Sequence, residues 1–368
     1  MAEQMRAWTY SKRGLPQNIL TLGSVPKPTI TSPDQVLIKV AYTSLFSSCK
    51  AMMALVYVSS DQKKVPESEF SGEIVEYGEN VREELKVPGV EVFGLTIPME
   101  PKIDTFRFLF NPNGTLTEYV VVHQNLIAPK PSNMSLEEAS GLAGMATTAI
   151  YFNDAVKLQT GDYVLVNGGS GAIGMLLLQL LKKAVGPEGK VVATCSESKK
   201  DIVLQYADEA IDYRAKAPIY QYLAQEYGSR KFDAIIDTAS TQELYDHSPE
   251  YLNEGKPFFD MAIKHPVGRA WQYSDLLPII GNQIKNNFWP TFLGGVPRKY
   301  VLKSVRPDLK SLQKIRQLVE DGTFKGTVDS VWGMDEAIQA YERFCGPDAR
   351  GRVVVDVRRD GLHSGGSN

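Results

Sequence analysis

A glycine loop set between an apolar run and a helix constrains this chain more than any other stretch. Tyr163 to Val166 reads as a buried strand, and the residues from Ile173 onward, through Met175-Leu-Leu-Leu-Gln-Leu-Leu-Lys-Lys183, read as a helix. Between them Gly169, Gly171 and Gly174 stand in the order G-x-G-x-x-G. The first glycine permits a tight strand-to-helix turn, the second lets the backbone approach a pyrophosphate, and the third lets the helix pack closely on the strand. The helix start then aims unpaired N–H groups at an anion. With Ser170, Ala172 and Ile173 between the glycines, the loop reads as a dinucleotide-binding turn, because a strand precedes it and a helix follows.

The length of 368 residues accommodates two domains, each with its own core. Charged residues are 23% of the chain and the formal net charge is -3, which gives no reason to expect nucleic acid or an anionic membrane as partner. Met-Ala-Glu-Gln-Met-Arg at the N-terminus lacks an apolar signal core, and no later run is long enough to span a bilayer. Three scattered cysteines, Cys49, Cys195 and Cys345, suit a reducing compartment. The expected location is the cytoplasm.

The pattern of elements changes along the chain. Residues 1–128 read as β-rich, with strands at Met5 to Tyr10, Gln35 to Tyr42, Gly72 to Tyr77 and Thr117 to His123 separated by Pro and Gly. Pro98 to Gly114 is an irregular aromatic loop. From Pro129, Ser135-Leu-Glu-Glu138 resembles a capping box opening one apolar helix that runs past Ala143 and Thr148. After the glycine loop, strands (190–195, 209–212, 234–238, 257–261) alternate with helices, which argues for a parallel sheet covered on both faces. Tyr300 to Val305 would close that sheet. Residues 307–322 and 335–344 read as amphipathic helices, 352–357 as a last strand, and 361–368 as a disordered tail.

Taken together, Glu69-Phe-Ser-Gly-Glu-Ile-Val-Glu-Tyr-Gly78, Thr117-Glu-Tyr-Val-Val-Val122, Leu126-Ile-Ala-Pro-Lys-Pro131, the glycine loop, Ala207-Asp-Glu-Ala-Ile-Asp-Tyr213, Asp237-Thr238 and Ala349-Arg-Gly-Arg-Val-Val-Val355 resemble the medium-chain dehydrogenase/reductase family, in its quinone-oxidoreductase and enoyl-reductase branch. The resemblance implies an α/β protein. A doubly wound Rossmann domain (129–306) is inserted in a chaperonin-10-like β-barrel substrate domain (1–128 with 307–360), with the active site in the cleft. Catalytic zinc in this family takes about three Cys, His or carboxylate ligands. At those positions this chain carries Phe46, then Ser68 within Glu67-Ser68-Glu69, then Leu142-Ala143-Gly144, and the four-cysteine structural lobe is missing. No metal is expected.

Without zinc, the resemblance implies hydride transfer to the β-carbon of a double bond conjugated to a carbonyl, or to a quinone, followed by a proton at the α-carbon or the enolate oxygen. At the end of the second nucleotide-domain strand, Ser196 and Ser198 can hydrogen-bond a 2′-phosphate and Lys199 or Lys200 can neutralise it, so NADPH is the expected cofactor. By resemblance Tyr213, Thr238, Met261, Ala262, Arg350 and Arg352 join the cofactor contacts, while Phe46, Ser48, Cys49, Tyr57 and Thr148 line the substrate pocket. The proton donor of mitochondrial-type enoyl reductases maps to Tyr57, whose phenol keeps its proton at neutral pH. Lys50 and Glu69 are alternatives. The Asn and Asp common near Phe46 to Cys49 in the branch are absent. A second reading therefore stays open: an NADPH-binding protein with a decayed hydride site in a regulatory or non-redox role such as cyclisation. The expected partner is a small apolar unsaturated carbonyl or quinone, with no nucleic acid and no membrane, and the expected assembly is a monomer or a homodimer paired through Tyr300 to Val305.

Overall fold

The computed structural model describes residues 3–56, 58, 63–87, 89–96, 114–261, 269–303, 305–346 and 349–359. Tyr57, Ala262, the aromatic loop at 98–113 and the tail at 361–368 lie outside the described residues. In chain order, the first segment contributes β1 (Gln4–Thr9), β2 (Thr21–Pro26), β3 (Gln35–Ser44), β4 (Glu69–Tyr77), β5 (Glu91–Leu95), β6 (Tyr119–His123) and β7 (Ile127–Pro129). The central segment contributes β8 (Tyr163–Asn167), β9 (Lys190–Cys195), β10 (Glu209–Asp212), β11 (Ala234–Asp237), β12 (Phe258–Asp260) and β13 (Tyr300–Leu302). The closing segment adds β14 (Val328–Gly333) and β15 (Arg352–Asp356).

The central strands form one parallel sheet in the order β10-β9-β8-β11-β12-β13. Parallel neighbours need crossover connections, and right-handed crossovers running outward in both directions from β8 and β11 place helices on opposite faces. This is the doubly wound arrangement, with its switch point between β8 and β11. Leu165, Val192, Ile235 and Phe258 are buried with Leu223 and Tyr251 from the flanking segments. Burial on both faces explains why these strands read as continuous apolar runs.

The other sheet follows β14-β15-β3-β4-β5-β7, with β6 also paired to β3. Val36, Ile38 and Val40 of β3 alternate onto a core shared with Phe70, Ile74, Val120, Val122, Val353 and Val355. Register shifts between Leu37/Ile38 and between Val40/Tyr42 bend β3 and raise its twist. Both chain ends build this sheet, since β15 pairs antiparallel with β3.

The described residues fall into two compact units, one within Met1–Thr147, His265–Gln272 and Pro307–Asn368, the other within Thr148–Lys264 and Tyr273–Arg306. Residues 129–147, expected with the Rossmann domain, group with the β-rich unit instead. The reason is local bonding: β7 pairs with β5, the Ser71 hydroxyl donates to Leu136 O at 2.5 Å, and Arg352 Nη2 donates to Glu138 O at 2.6 Å. The single helix expected from Ser135 is two, Leu136–Ala139 behind a true capping box and Ala143–Val156. The break falls at Gly141, where a Cβ would lie 2.5 Å from Ser44 Oγ. The strand β14 and the helix Leu276–Phe288 had no counterpart in the sequence reading.

Candidate functional site

The glycine loop leaves β8 at the switch point and enters the helix Ala172–Val185. Gly168, at φ +80°, takes the left-handed turn that the sequence reading gave to Gly169. Close packing explains two of the other glycines: a Cβ on Gly169 would lie 2.7 Å from Ala193 Cβ, and one on Gly174 would lie 2.6 Å from Gly168 O. Gly171 is the N-cap and supplies no side-chain cap, and the first helical bond runs from Met175 N–H to Gly171 O at 2.9 Å. Ala172, Ile173 and Gly174 therefore present amides with no intrahelical acceptor, beside half-buried Ser170. That is the geometry an anion needs.

A buried hydrogen-bond chain fixes the loop. Gly168 N–H donates to Thr194 Oγ1 at 2.9 Å, and that hydroxyl donates to Asn167 Oδ1 at 2.5 Å. Asn167 Nδ2 donates to Asp237 Oδ1 at 2.8 Å, and the Asp237 carboxylate also accepts from Ala239 and Thr241 N–H at 2.8 and 2.7 Å. Burial, together with the nearby Asp260, pushes Asp237 up to about 6. Thr238 turns its hydroxyl to Asn167 O (2.8 Å) and Gly168 O (3.0 Å), so it props the loop from below. Met261 is half-buried, with its N–H on Asp237 O at 3.0 Å.

At the end of β9, Ser196 Oγ and Ser198 Oγ are 3.4 Å apart. Glu197, the acid that would oppose a phosphate here, is 2.7 Å from Lys200 Nζ. Its carboxylate hydrogen-bonds Lys200 and raises the lysine's pKa. Tyr213 N–H donates to Cys195 O at 3.2 Å, which brings the tyrosine to the same strand end with its ring 42% exposed. Arg214 Nε reaches Tyr213 Oη at 3.2 Å. Arg214 was missed in the sequence, although a cation next to that tyrosine was visible. Lys199 lies between Ser198 and Lys200 and is half-buried.

In the β-rich unit, the segment that carries metal ligands in zinc-dependent relatives is built differently. Glu67 and Glu69 are buried (4% and 2% exposed), and Glu67 is left-handed at φ +67°. Tyr341 Oη donates to Glu67 Oε1 at 2.5 Å and Phe46 N–H to Oε2 at 2.9 Å. Cys49 Sγ lies 3.7 Å from Ser68 Oγ. Burial pushes Glu67 up to about 8, against the hydrogen bonds from Tyr341 and Phe46 that favour its charged form. Burial likewise pushes Glu69 up to about 7, opposed by the Gly144 N–H and by Arg352. Phe46 and Gly144 offer no side-chain donor and Ser68 only a hydroxyl, so the residues present do not fit a catalytic zinc. Among the described residues no group of three or more His, Cys, Asp or Glu is arranged to hold a metal.

The remaining expected residues separate. Ser48 and Cys49 sit on the helix Ser47–Leu55, with Cys49 buried and Ser48 half-buried, and Thr148 is half-buried on Ala143–Val156. Lys50 Nζ is 3.6 Å from Cys345 Sγ. Arg352 corrects the sequence reading: it is 4% exposed, and its guanidinium donates to Glu138 O at 2.6 Å and Thr327 O at 3.4 Å. It braces the β-rich unit from inside, where a nucleotide phosphate has no access to it. Arg350 is exposed and its N–H donates to Asp329 Oδ1 at 2.6 Å.

A trans-enoyl reductase of Penicillium oxalicum, poxH, is 34% identical over 97% of this chain and 98% of its own. The chain belongs to the medium-chain dehydrogenase/reductase family. A second member, the medium chain reductase pydE of an Acremonium species, is 32% identical over 97% of this chain and 100% of its own. A family profile described as zinc-binding dehydrogenase matches residues 205–355. Among solved structures, the quinone oxidoreductase of Coxiella burnetii shares the fold, with a TM-score of 0.74 and 21% identity over 97% of this chain and 100% of that one. This medium-chain dehydrogenase/reductase is thus an oxidoreductase of the enoyl or quinone reductase type, a nucleotide-dependent class acting on a small-molecule substrate. No described helix is long and apolar enough to cross a membrane.

Proposed function

We propose that this protein is an NADPH-dependent, zinc-independent reductase of carbon–carbon double bonds conjugated to a carbonyl, in enones or enoyl thioesters, or of quinones. The reading places the reaction in secondary-metabolite biosynthesis, and the name of one relative, trans-enoyl reductase, supports reduction of an enoyl double bond. Two observations support the reading: a glycine-lined helix start at the switch point with no side-chain cap, and Phe46, Ser68 and Gly144 at the positions of the family's zinc ligands.

Gly169, Ser170, Gly171, Ala172, Ile173 and Gly174 would hold the pyrophosphate through backbone amides, and Ser196, Ser198, Lys199, Tyr213 and Arg214 the 2′-phosphate. When bound, the dihydronicotinamide supplies a hydride to the β-carbon of the substrate. The chain's own task is to order the loop through Thr194, Asn167 and Asp237, and to keep a proton ready for the α-carbon. Tyr57 is the donor implied by resemblance, and Lys50 is a second candidate.

Equilibrium titration with NADPH and NADH, read by protein fluorescence, tests the cofactor assignment. Arg214→Ala or Lys199→Ala should raise the Kd for NADPH about tenfold, the loss of one charge-assisted contact at a half-exposed site, and leave that for NADH unchanged. Equal affinity of the unsubstituted protein for both cofactors would remove the 2′-phosphate site, and binding of neither would remove the reductase reading.

A further inference from the structure

We propose that the outward face of the helix Leu276–Phe288 is where two copies of this chain associate about a two-fold axis. This assignment goes beyond the reductase reading and does not depend on it.

A surface helix ordinarily turns its apolar stripe to the core. This one does the reverse. At 3.6 residues per turn, Leu277, Ile280, Ile284 and Phe288 fall within an arc of about 80°. All four face solvent, at 53–79% exposed. The opposite side is seated on its own domain largely through amides, with Leu276 and Ile279 half-buried beside them. Gln283 Nε2 donates to Tyr300 Oη at 3.0 Å, and Asn286 and Gln242 exchange side-chain bonds at 2.9 and 3.0 Å. Rolling the helix over to bury the stripe would break these bonds, so the seat itself holds the stripe outward.

The apolar face continues past the helix end. Trp289 Nε1 donates to Leu293 O at 3.0 Å, folding a turn that leaves Trp289, Phe292 and Leu293 at 55–85% exposed. With the stripe, these residues leave roughly 800 Å² open to solvent, at about 150–250 Å² for a whole aromatic side chain. The largest apolar patch of an ordinary monomer is about 300–600 Å², whereas each partner of a standard interface gives about 800 Å². The composition of the face selects a second copy as its occupant. Lys285 at its margin is neutralised by Asp246, 3.1 Å away, so nothing there asks for a partner of opposite charge. An apolar stripe complements itself, as a two-fold contact requires. Gly281 lies mid-helix on the same side, and a Cβ there would meet nothing within 4 Å. Glycine weakens a helix interior, but at the crossing point of two antiparallel copies it lets the backbones approach. A lipid surface fits less well, because helices lying in one line their polar face with Lys and Arg, and here that face carries amides bonded to the protein. The edge strand β13, where pairing was expected from the sequence, offers three residues, and the helix bonded to it through Tyr300 supplies the area.

Sedimentation equilibrium of the full chain should give twice the chain mass at micromolar concentration. Ile284→Glu and Phe288→Glu each put an unpaired carboxylate into the apolar contact, and should weaken association about 100-fold and give the monomer. Val87→Glu, at an exposed apolar residue of the β-rich unit, should leave the dimer intact. Hydrogen exchange needs no variant: the amides of residues 276–293 should exchange more slowly in concentrated than in dilute solutions of the unsubstituted protein. A monomer at every concentration, a dimer that survives both glutamates, or exchange at 276–293 that ignores concentration overturns the proposal. A monomer that floats with phosphatidylcholine vesicles also overturns it, and gives the face to a lipid surface instead. NADPH oxidation enters none of these readouts, so the reductase reading stands or falls separately.

Discussion

Replacing Thr194 by valine removes one hydroxyl from the chain of bonds that holds the nucleotide loop. Thr194 is 1% exposed, and its Oγ1 both accepts from Gly168 N–H at 2.9 Å and donates to Asn167 Oδ1 at 2.5 Å. Valine has nearly the same volume, so almost no cavity forms, and the cost is that of two stranded polar groups. Each costs about 1–3 kcal/mol when buried. Gly168 is half-buried and water reaches it in part, which places the total near the lower end, about 2–3 kcal/mol. That lowers the unfolding midpoint by about 3–4 °C for a protein of this size. The Kd for NADPH should rise about tenfold, because the loop no longer starts in one conformation. Thr194→Ser keeps the hydroxyl and should recover most of both losses. The assay is thermal unfolding of the full chain with and without NADPH. A valine variant that melts with the parent, or a serine variant that falls as far as the valine one, would refute the reasoning.

Two further outcomes follow from buried charges. Arg352→Met leaves the Glu138 carbonyl without its donor and Glu69 without a facing cation, so it should destabilise the protein by about 3–5 kcal/mol in urea unfolding, while the Kd for NADPH stays within about twofold. Glu67, Glu69 and Asp237 all have folded pKa values above their ordinary ones, at about 8, 7 and 6. Their contribution to stability is full below pH 4 and is lost as pH rises through those values, so the native state should weaken by a few kcal/mol between about pH 4 and pH 8. Glu67→Gln should flatten the upper part of that slope.

Local pattern made most of the nucleotide domain legible. The edges of Lys190–Cys195 stand where its apolar run puts them, because a strand buried on both faces leaves no choice of register, and Glu209–Asp212, half-buried at the sheet edge, also keeps the expected bounds. The glycine spacing located the loop, yet it credited Gly169 with a turn that Gly168 makes, since the spacing alone does not show which peptide flips. Arg352 was placed by resemblance beside the cofactor, whereas its contacts with Glu138 and Thr327 depend on how both chain ends close one sheet. The Glu67–Tyr341 bond joins residues 274 positions apart, and no local pattern announces it.

The central claim is hydride transfer to a conjugated double bond, and its most direct measurement follows deuterium. NADPH carrying deuterium at C4 of the nicotinamide, incubated with the protein and the crotonyl thioester in ordinary water, should give the saturated thioester with one deuterium at the β-carbon and none at the α-carbon. Loss of the double bond with no deuterium in the product, or no saturated product from the thioester, an enone or a quinone, would contradict the account.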